Sequence, residues 1–70
     1  MVKDRYFKLT EIGEIDPKKY TCMYIEKCSD NIYKSLIPYL EQKCKVTEVT
    51  KKEYVILEKE LEEQENEKWI

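Results

Sequence analysis

Residues 29–44 read SDNIYKSLIPYLEQKC, and this stretch has the clearest apolar pattern in the chain. Its apolar side chains recur every three or four positions, which predicts an amphipathic helix with one wide inner face. We expect this face to contain Ile32, Leu36, Tyr39 and Leu40, with Tyr33, Ile37 and Cys44 beside them. The sequence therefore predicts one central helix on which a small domain is built.

The sequence also indicates where this helix begins and where it bends. Ser29 or Asp30 can cap the helix, because a short polar side chain accepts a hydrogen bond from a free N–H group of the first turn. Pro38 releases the carbonyl of Lys34, which lies on the polar side where water can reach it. We expect one helix that bends at Pro38. A break into two short helices is the alternative.

Two segments before the helix favour extended structure. Residues 5–15 (RYFKLTEIGEI) and residues 20–27 (YTCMYIEK) are rich in β-branched and aromatic side chains. Between them, Asp16-Pro17 is typical of a type I turn, with proline at its second position. This order predicts an antiparallel hairpin. Both faces of its second strand are partly apolar, so we expect the central helix to cover one face and a partner or the chain's own tail to cover the other.

An alternative exists for the second of these segments. Asp16 can also serve as a helix cap, with Pro17 at the first helical position, where a proline is well tolerated. Residues 17–27 would then form a helix instead of a strand.

The last third of the chain favours a short strand followed by a helix. Residues 45–49 predict a third strand, and Thr50 with Glu53 matches a capping box at the start of a helix. A narrow apolar seam follows, made of Tyr54, Leu57 and Leu61. The alternative is a hairpin between residues 45–49 and 54–58, which would leave a disordered acidic tail.

Together these segments predict an α+β fold in a single small domain over residues 1–70. We expect an antiparallel β-hairpin packed on the central helix (29–44), a short third strand and an acidic C-terminal helix. The apolar seam of the last helix stops at Leu61. We therefore expect residues 62–70 to project from the body or to fray.

The composition limits the class of protein. A chain of 70 residues buries little of its surface, so dimerisation or partner binding would help to stabilise it. It has no stretch long enough for a membrane span and no apolar leader at its start. Three cysteines, an odd number, favour a reduced compartment. The bias towards Lys, Ile, Tyr and Glu is typical of AT-rich genomes, including those of phages, so we expect the cytoplasm of a bacterial host cell.

The sequence carries no catalytic signature. It has no histidine to serve as a general base and one glycine, too few for a glycine-rich phosphate loop. The cysteines lack the spacing of a zinc site. We therefore expect no enzyme activity, no catalytic residue, no metal site and no cofactor.

Charge is distributed unevenly along the chain. Residues 1–52 have a net charge of +3 and residues 53–70 a net charge of −5. If the acidic segment is helical, one side of it presents glutamates around Ile56. We expect the partner-binding residues to be Glu53, Glu60, Glu63 and Glu67, with Trp69 as an aromatic anchor.

These observations predict a non-enzymatic protein–protein interaction module. The most concrete hypothesis is a small phage or mobile-element protein that binds a basic groove on a host enzyme, for example a defence or nucleic-acid-handling enzyme. Carboxylates along a helix would imitate phosphates there and inhibit the enzyme. One alternative is a structural subunit of a larger complex, or a homodimer.

The other alternative is a small nucleic-acid-binding regulator. Aromatic and basic side chains on paired strands can form a platform on which single-stranded bases stack. The candidate residues are Tyr6, Lys8, Tyr20 and Tyr24. The acidic segment and the shortage of arginine argue against this interpretation.

Overall fold

The order of secondary-structure elements confirms the α+β prediction. The computed structural model describes the backbone of residues 1–67 and the side chains of residues 1–65. Its elements, in chain order, are β1 (Lys3–Glu11), β2 (Thr21–Cys28), α1 (Asp30–Glu41), β3 (Cys44–Val49) and α2 (Lys51–Glu67). The second segment is thus a strand and the last a helix, so the alternatives of a helix over residues 17–27 and a hairpin over residues 45–58 are wrong.

The three strands form one sheet in the order β2-β1-β3, with β1 antiparallel to both neighbours. Tyr6 lies opposite Tyr24 of β2 and opposite Val49 of β3. Because β2 and β3 run parallel, α1 must cross the sheet between them. The result is a split β-α-β unit with the hairpin strand β1 in its middle.

Two turns join β1 to β2. The first turn spans residues 11–14, and in it Glu14 N donates to Glu11 O at 3.1 Å. Gly13, at the third position, has a φ of +89°, the positive value that a type II turn requires and that glycine adopts without strain. In the predicted Asp16-Pro17 turn, Lys19 N donates to the Asp16 carbonyl at 3.1 Å. The strand therefore ends at Glu11, before Gly13, rather than at residue 15.

Helix α1 begins as predicted but ends earlier. Ser29 is the N-cap, and its Oγ accepts from Ile32 N at 3.2 Å. The helix continues through Pro38 without a break and ends at Glu41. The prediction of a helix over residues 29–44 was wrong at its C-terminal end, because Cys44 already pairs with Glu11 as the first residue of β3.

The core lies between α1 and one face of the sheet. Phe7 is 1% exposed, and its ring centre lies 6.3 Å from that of Tyr33 on α1. Ile37 is also buried against this face. Ile32 and Tyr39, which we expected on the inner face, are 47% and 54% exposed. The helix is therefore rotated relative to the prediction, and one edge of its wide apolar arc points to solvent.

Helix α2 covers the other face of the sheet. Thr50 caps it by accepting from Glu53 N at 3.2 Å, which confirms the predicted N-cap, while the Glu53 carboxylate reaches back to the Thr50 hydroxyl rather than to its backbone N–H. Tyr54, one turn later, packs on the rings of Tyr6 and Tyr24 with centre distances of 5.1 and 6.3 Å.

Residues 62–67 continue the helix, whereas residues 68–70, including Trp69, lie outside the described part of the chain. Neither helix in the described part is long and apolar enough to cross a membrane.

Candidate partner-binding surfaces

The acidic flank consists of Glu53, Glu60 and Glu63, which the 3.6-residue repeat of α2 places along one side of the helix. The start of this side faces β3, because Glu53 and Ile56 border the same cavity as Thr47 and Val49. All three carboxylates are exposed. Glu67 belongs to the same helix side by sequence, but its side chain is outside the described residues, as is Trp69.

The first carboxylate of the acidic flank already has a structural role. The Thr50 hydroxyl donates to Glu53 Oε1 at 3.3 Å while its oxygen accepts from Glu53 N. This contact orders the first turn of α2. The negative charge of Glu53 also interacts favourably with the positive end of the helix dipole. Glu53 therefore contributes to the fold as well as to the surface charge.

The second carboxylate anchors α2 to the start of β2. The Tyr20 hydroxyl lies 3.0 Å from the Leu57 carbonyl and 3.1 Å from Glu60 Oε2, and it donates to these two acceptors. Burial, together with the Glu60 carboxylate, raises the pKa of Tyr20 to about 12. Glu60 is thus held in place by a neutral phenol, and the residue as a whole remains exposed.

An apolar floor lies beside the first carboxylate of the acidic flank. Ile56 is 50% exposed and borders a shallow cavity of about 310 Å³ between α2 and β3, whose other lining residues are Lys8, Thr47, Val49, Glu53 and Leu57. An exposed aliphatic side chain with charges at its edge has the make-up of a protein–protein contact, where an apolar centre lies within a polar rim. The sequence indicated Ile56 as part of this side, but not the neighbouring residues of β3.

The field around this surface is negative. Residues 53–67 carry seven glutamates and one lysine, a net charge of −6. The glutamates up to Glu65 are exposed, so they act through the sum of their potentials rather than through one contact. A complementary ligand must therefore be basic.

The alternative residues Tyr6, Lys8, Tyr20 and Tyr24 do come together, as predicted, on one face of the sheet. This face is, however, the one that α2 covers. The rings of Tyr6 and Tyr24 stack on each other at 5.0 Å with an interplanar angle of 16°, and Tyr54 closes over both. The sequence did not indicate that Tyr54 would join this cluster, although its place in the α2 seam was recognised.

Lys8, the basic residue among these four, also makes a contact within the protein. The Lys8 ammonium lies 4.9 Å from the centre of the Tyr20 ring, in cation–π geometry. Tyr20 in turn is bonded to α2. A single-stranded base could stack on Tyr6 or Tyr20 only after α2 had moved away, so the docked arrangement disfavours the nucleic-acid interpretation.

The three cysteines are separate from one another. Cys22 lies beneath α2, Cys28 is fully buried at the far end of β2, and Cys44 begins β3. Burial and the nearby Glu58 carboxylate raise the pKa of Cys22, which disfavours the reactive thiolate. Among the described side chains, no group of three acidic or cysteine residues is placed to hold a metal ion.

Comparison with known proteins identifies no relative: no protein-family model, no curated sequence and no solved structure matches this chain significantly. The function must therefore be argued from the surfaces described above.

Proposed function

We propose that this chain is a non-enzymatic interaction module that binds a basic groove on another protein through the acidic flank of α2. The observation that carries the proposal is the combination of exposed carboxylates with the apolar floor at Ile56. Charge alone would attract any cation, whereas an aliphatic side chain within a polar rim favours a shaped protein partner.

The spacing of the carboxylates supports mimicry of nucleic acid. With a rise of about 1.5 Å per residue, Glu60 and Glu63 are about 4.5 Å apart along the axis, and Glu53 lies about 10 Å from Glu60. A row of anions at such intervals competes for the Lys and Arg side chains that bind a phosphate backbone. The target is then a nucleic-acid-handling enzyme, and the chain acts as its inhibitor.

The most concrete form of this proposal is a phage or mobile-element protein that inhibits a host enzyme in the bacterial cytoplasm. Its support is the small size, the AT-rich codon bias suggested by the composition, and the charge-segregated helix. This part rests on analogy with proteins of similar make-up and not on a residue of the site.

The test is an affinity pull-down from a low-GC bacterial lysate, with and without nuclease. We expect one protein to be retained in near-stoichiometric amount after nuclease treatment. Recovery of nucleic acid that disappears with nuclease would instead support the alternative regulator on the Tyr6–Tyr24 face.

A charge-reversed variant then locates the contact. Glu60→Lys with Glu63→Lys should weaken the complex about tenfold or more, because each reversal replaces attraction by repulsion in a basic groove. The matched control is Glu11→Lys with Glu41→Lys, which changes the net charge equally on exposed positions of β1 and α1. Equal losses in both variants, at unchanged thermal stability, would mean that net charge and not the acidic flank determines binding.

A further inference from the structure

The apolar stripe of α1 is a second exposed surface, remote from the acidic flank. Ile32, Leu36 and Tyr39 recur at intervals of four and three residues, and the first and last are 47% and 54% exposed. With Asn31 and Ser35 they line an open depression of about 520 Å³. None of the five is charged, in a chain whose residues are 40% charged. The nearest ammonium, that of Lys43, lies over the Tyr39 ring at the end of the stripe.

The direction of this stripe follows from the contacts of Arg5. Its guanidinium donates both to Asp30 on α1, at 3.2 Å, and to Glu48 on β3, at 3.4 Å. The side of α1 that carries Asp30 therefore faces β3. Ile32 is two residues further on, about 200° around the helix, so the apolar stripe faces the opposite way, towards β2.

The β2 side of the sheet is also unpaired. β2 is an edge strand, with β1 on one side and no strand of the described chain on the other. Met23 and Ile25 pair with Phe7 and Arg5 and so lie on the same face as α1. An open strand edge and an uncharged helix stripe thus border the same side of the molecule.

The β3 edge differs in charge. Asp30, Lys34 and Glu41 lie along the side of α1 that faces it, and all three are exposed. Charged side chains beside a strand edge oppose pairing with another chain. Pairing at β2 meets no such obstacle from α1, and an uncharged surface can meet an identical one without opposing like charges.

We propose that two copies of this chain associate about a two-fold axis, with their β2 edges paired antiparallel and their α1 stripes facing each other across the joined sheet. In a pairing centred on Tyr24, Met23 of one copy lies opposite Ile25 of the other, and Glu26 lies opposite Cys22 rather than its own equivalent. The contact is isologous and closes as a dimer.

The dimensions of the elements are compatible with this arrangement. The two β1 strands would be three strand spacings apart, about 14 Å, and a helix with its side chains is about 10–12 Å wide. Two α1 helices above such a sheet are neighbours whose Ile32, Leu36 and Tyr39 side chains fill the space between them. The proposed contact uses no residue of the acidic flank, and this inference does not depend on the proposed function.

The experiment is sedimentation equilibrium of the full chain from about 5 to about 500 µM, because a small specific interface gives a dissociation constant in the micromolar range. We expect a monomer–dimer equilibrium. Ser35→Arg should raise the dimer dissociation constant about tenfold or more, since it places two like charges near the axis without removing a packed side chain. Thr47→Arg, at an exposed uncharged position of β3, is the matched control and should leave the dimer unchanged.

Amide hydrogen exchange identifies the paired edge. With rising protein concentration we expect slower exchange for outward amides of β2 and no change for those of β3. A chain that stays monomeric throughout, a dimer that Ser35→Arg leaves intact, a dimer that Thr47→Arg dissociates, or protection confined to β3 would each overturn the proposal.

Discussion

Replacing Arg5 with methionine should measurably destabilise the domain. Arg5 is the chain's single arginine, and its side chain is 11% exposed. The guanidinium binds Asp30 and Glu48, and it lies 4.3 Å from the centre of the Tyr33 ring. One side chain thus joins β1, α1 and β3, the three elements that enclose the core.

The magnitude can be worked from these contacts. Glu48 is 37% exposed, and its ion pair with Arg5 contributes about 0.2–1 kcal/mol. Asp30 is 55% exposed, so solvent screens its pair with Arg5 and that pair adds little to the total. The cation–π contact adds about 0.5–2 kcal/mol. Nε is buried without an acceptor among the described atoms, which offsets part of the gain. Because methionine retains most of the aliphatic stem, we expect Arg5→Met to cost about 1–3 kcal/mol, out of a total of about 4–10 kcal/mol for a domain of this size.

The assay is urea unfolding followed by far-UV circular dichroism. With a slope of about 1 kcal/mol per molar urea, the midpoint should fall by about 1–3 M. Arg5→Lys separates charge from shape: lysine keeps the charge but cannot reach both carboxylates with one planar fork, so we expect an intermediate midpoint. A midpoint of Arg5→Met within about 0.3 M of wild type, with slope unchanged, would refute the idea that Arg5 joins the three elements.

Three further predictions concern other parts of the fold. Phe7→Ala should cost about 3–5 kcal/mol of unfolding free energy, and a thermal melt will show this as a much lower midpoint. Thr50→Ala should cost about 1 kcal/mol of unfolding free energy in urea by removing the α2 cap, while Thr50→Ser retains it. Because the pKa of Tyr20 is raised to about 12, the stabilisation from its neutral hydroxyl is fully present below pH 10 and is lost as the pH rises from 10 towards 12. Tyr20→Phe should therefore lose less stability between pH 9 and pH 11 than wild type does; an equal loss would contradict this account.

Local chemistry explains why the elements themselves could be predicted. The Ser29 and Thr50 caps are contacts within three residues, so the sequence alone indicates both helix starts. The rotation of α1 could not be predicted in the same way. Its apolar arc is wider than the strip that the sheet covers, and the part that turns inward depends on Arg5 and Phe7, which are distant in sequence.

In the candidate site, too, local features could be predicted from the sequence and contacts between distant residues could not. Helical periodicity alone places Glu53, Glu60 and Glu63 on one side of α2. The hydrogen bond from Tyr20 to Glu60 joins residues forty positions apart, and no local pattern indicates it. The apolar floor likewise needs β3 beside α2, which depends on the strand order and not on the composition of either element.

The orientations of the two helices determine where the two proposed surfaces lie relative to each other. α1 turns its charged side to β3 and its apolar stripe to β2, and the start of the acidic flank of α2 also lies beside β3. In the proposed dimer, β3 is the outermost strand of each copy, so the two acidic flanks lie at opposite ends of six strands, roughly 25 Å apart. A partner with two basic grooves at that distance would be bound with avidity, since the second contact forms within the complex. Ser35→Arg should then weaken binding to such a two-fold partner and leave binding to a monomeric partner unchanged. Glu60→Lys with Glu63→Lys should weaken both, and a titration of each variant against the captured protein separates these cases.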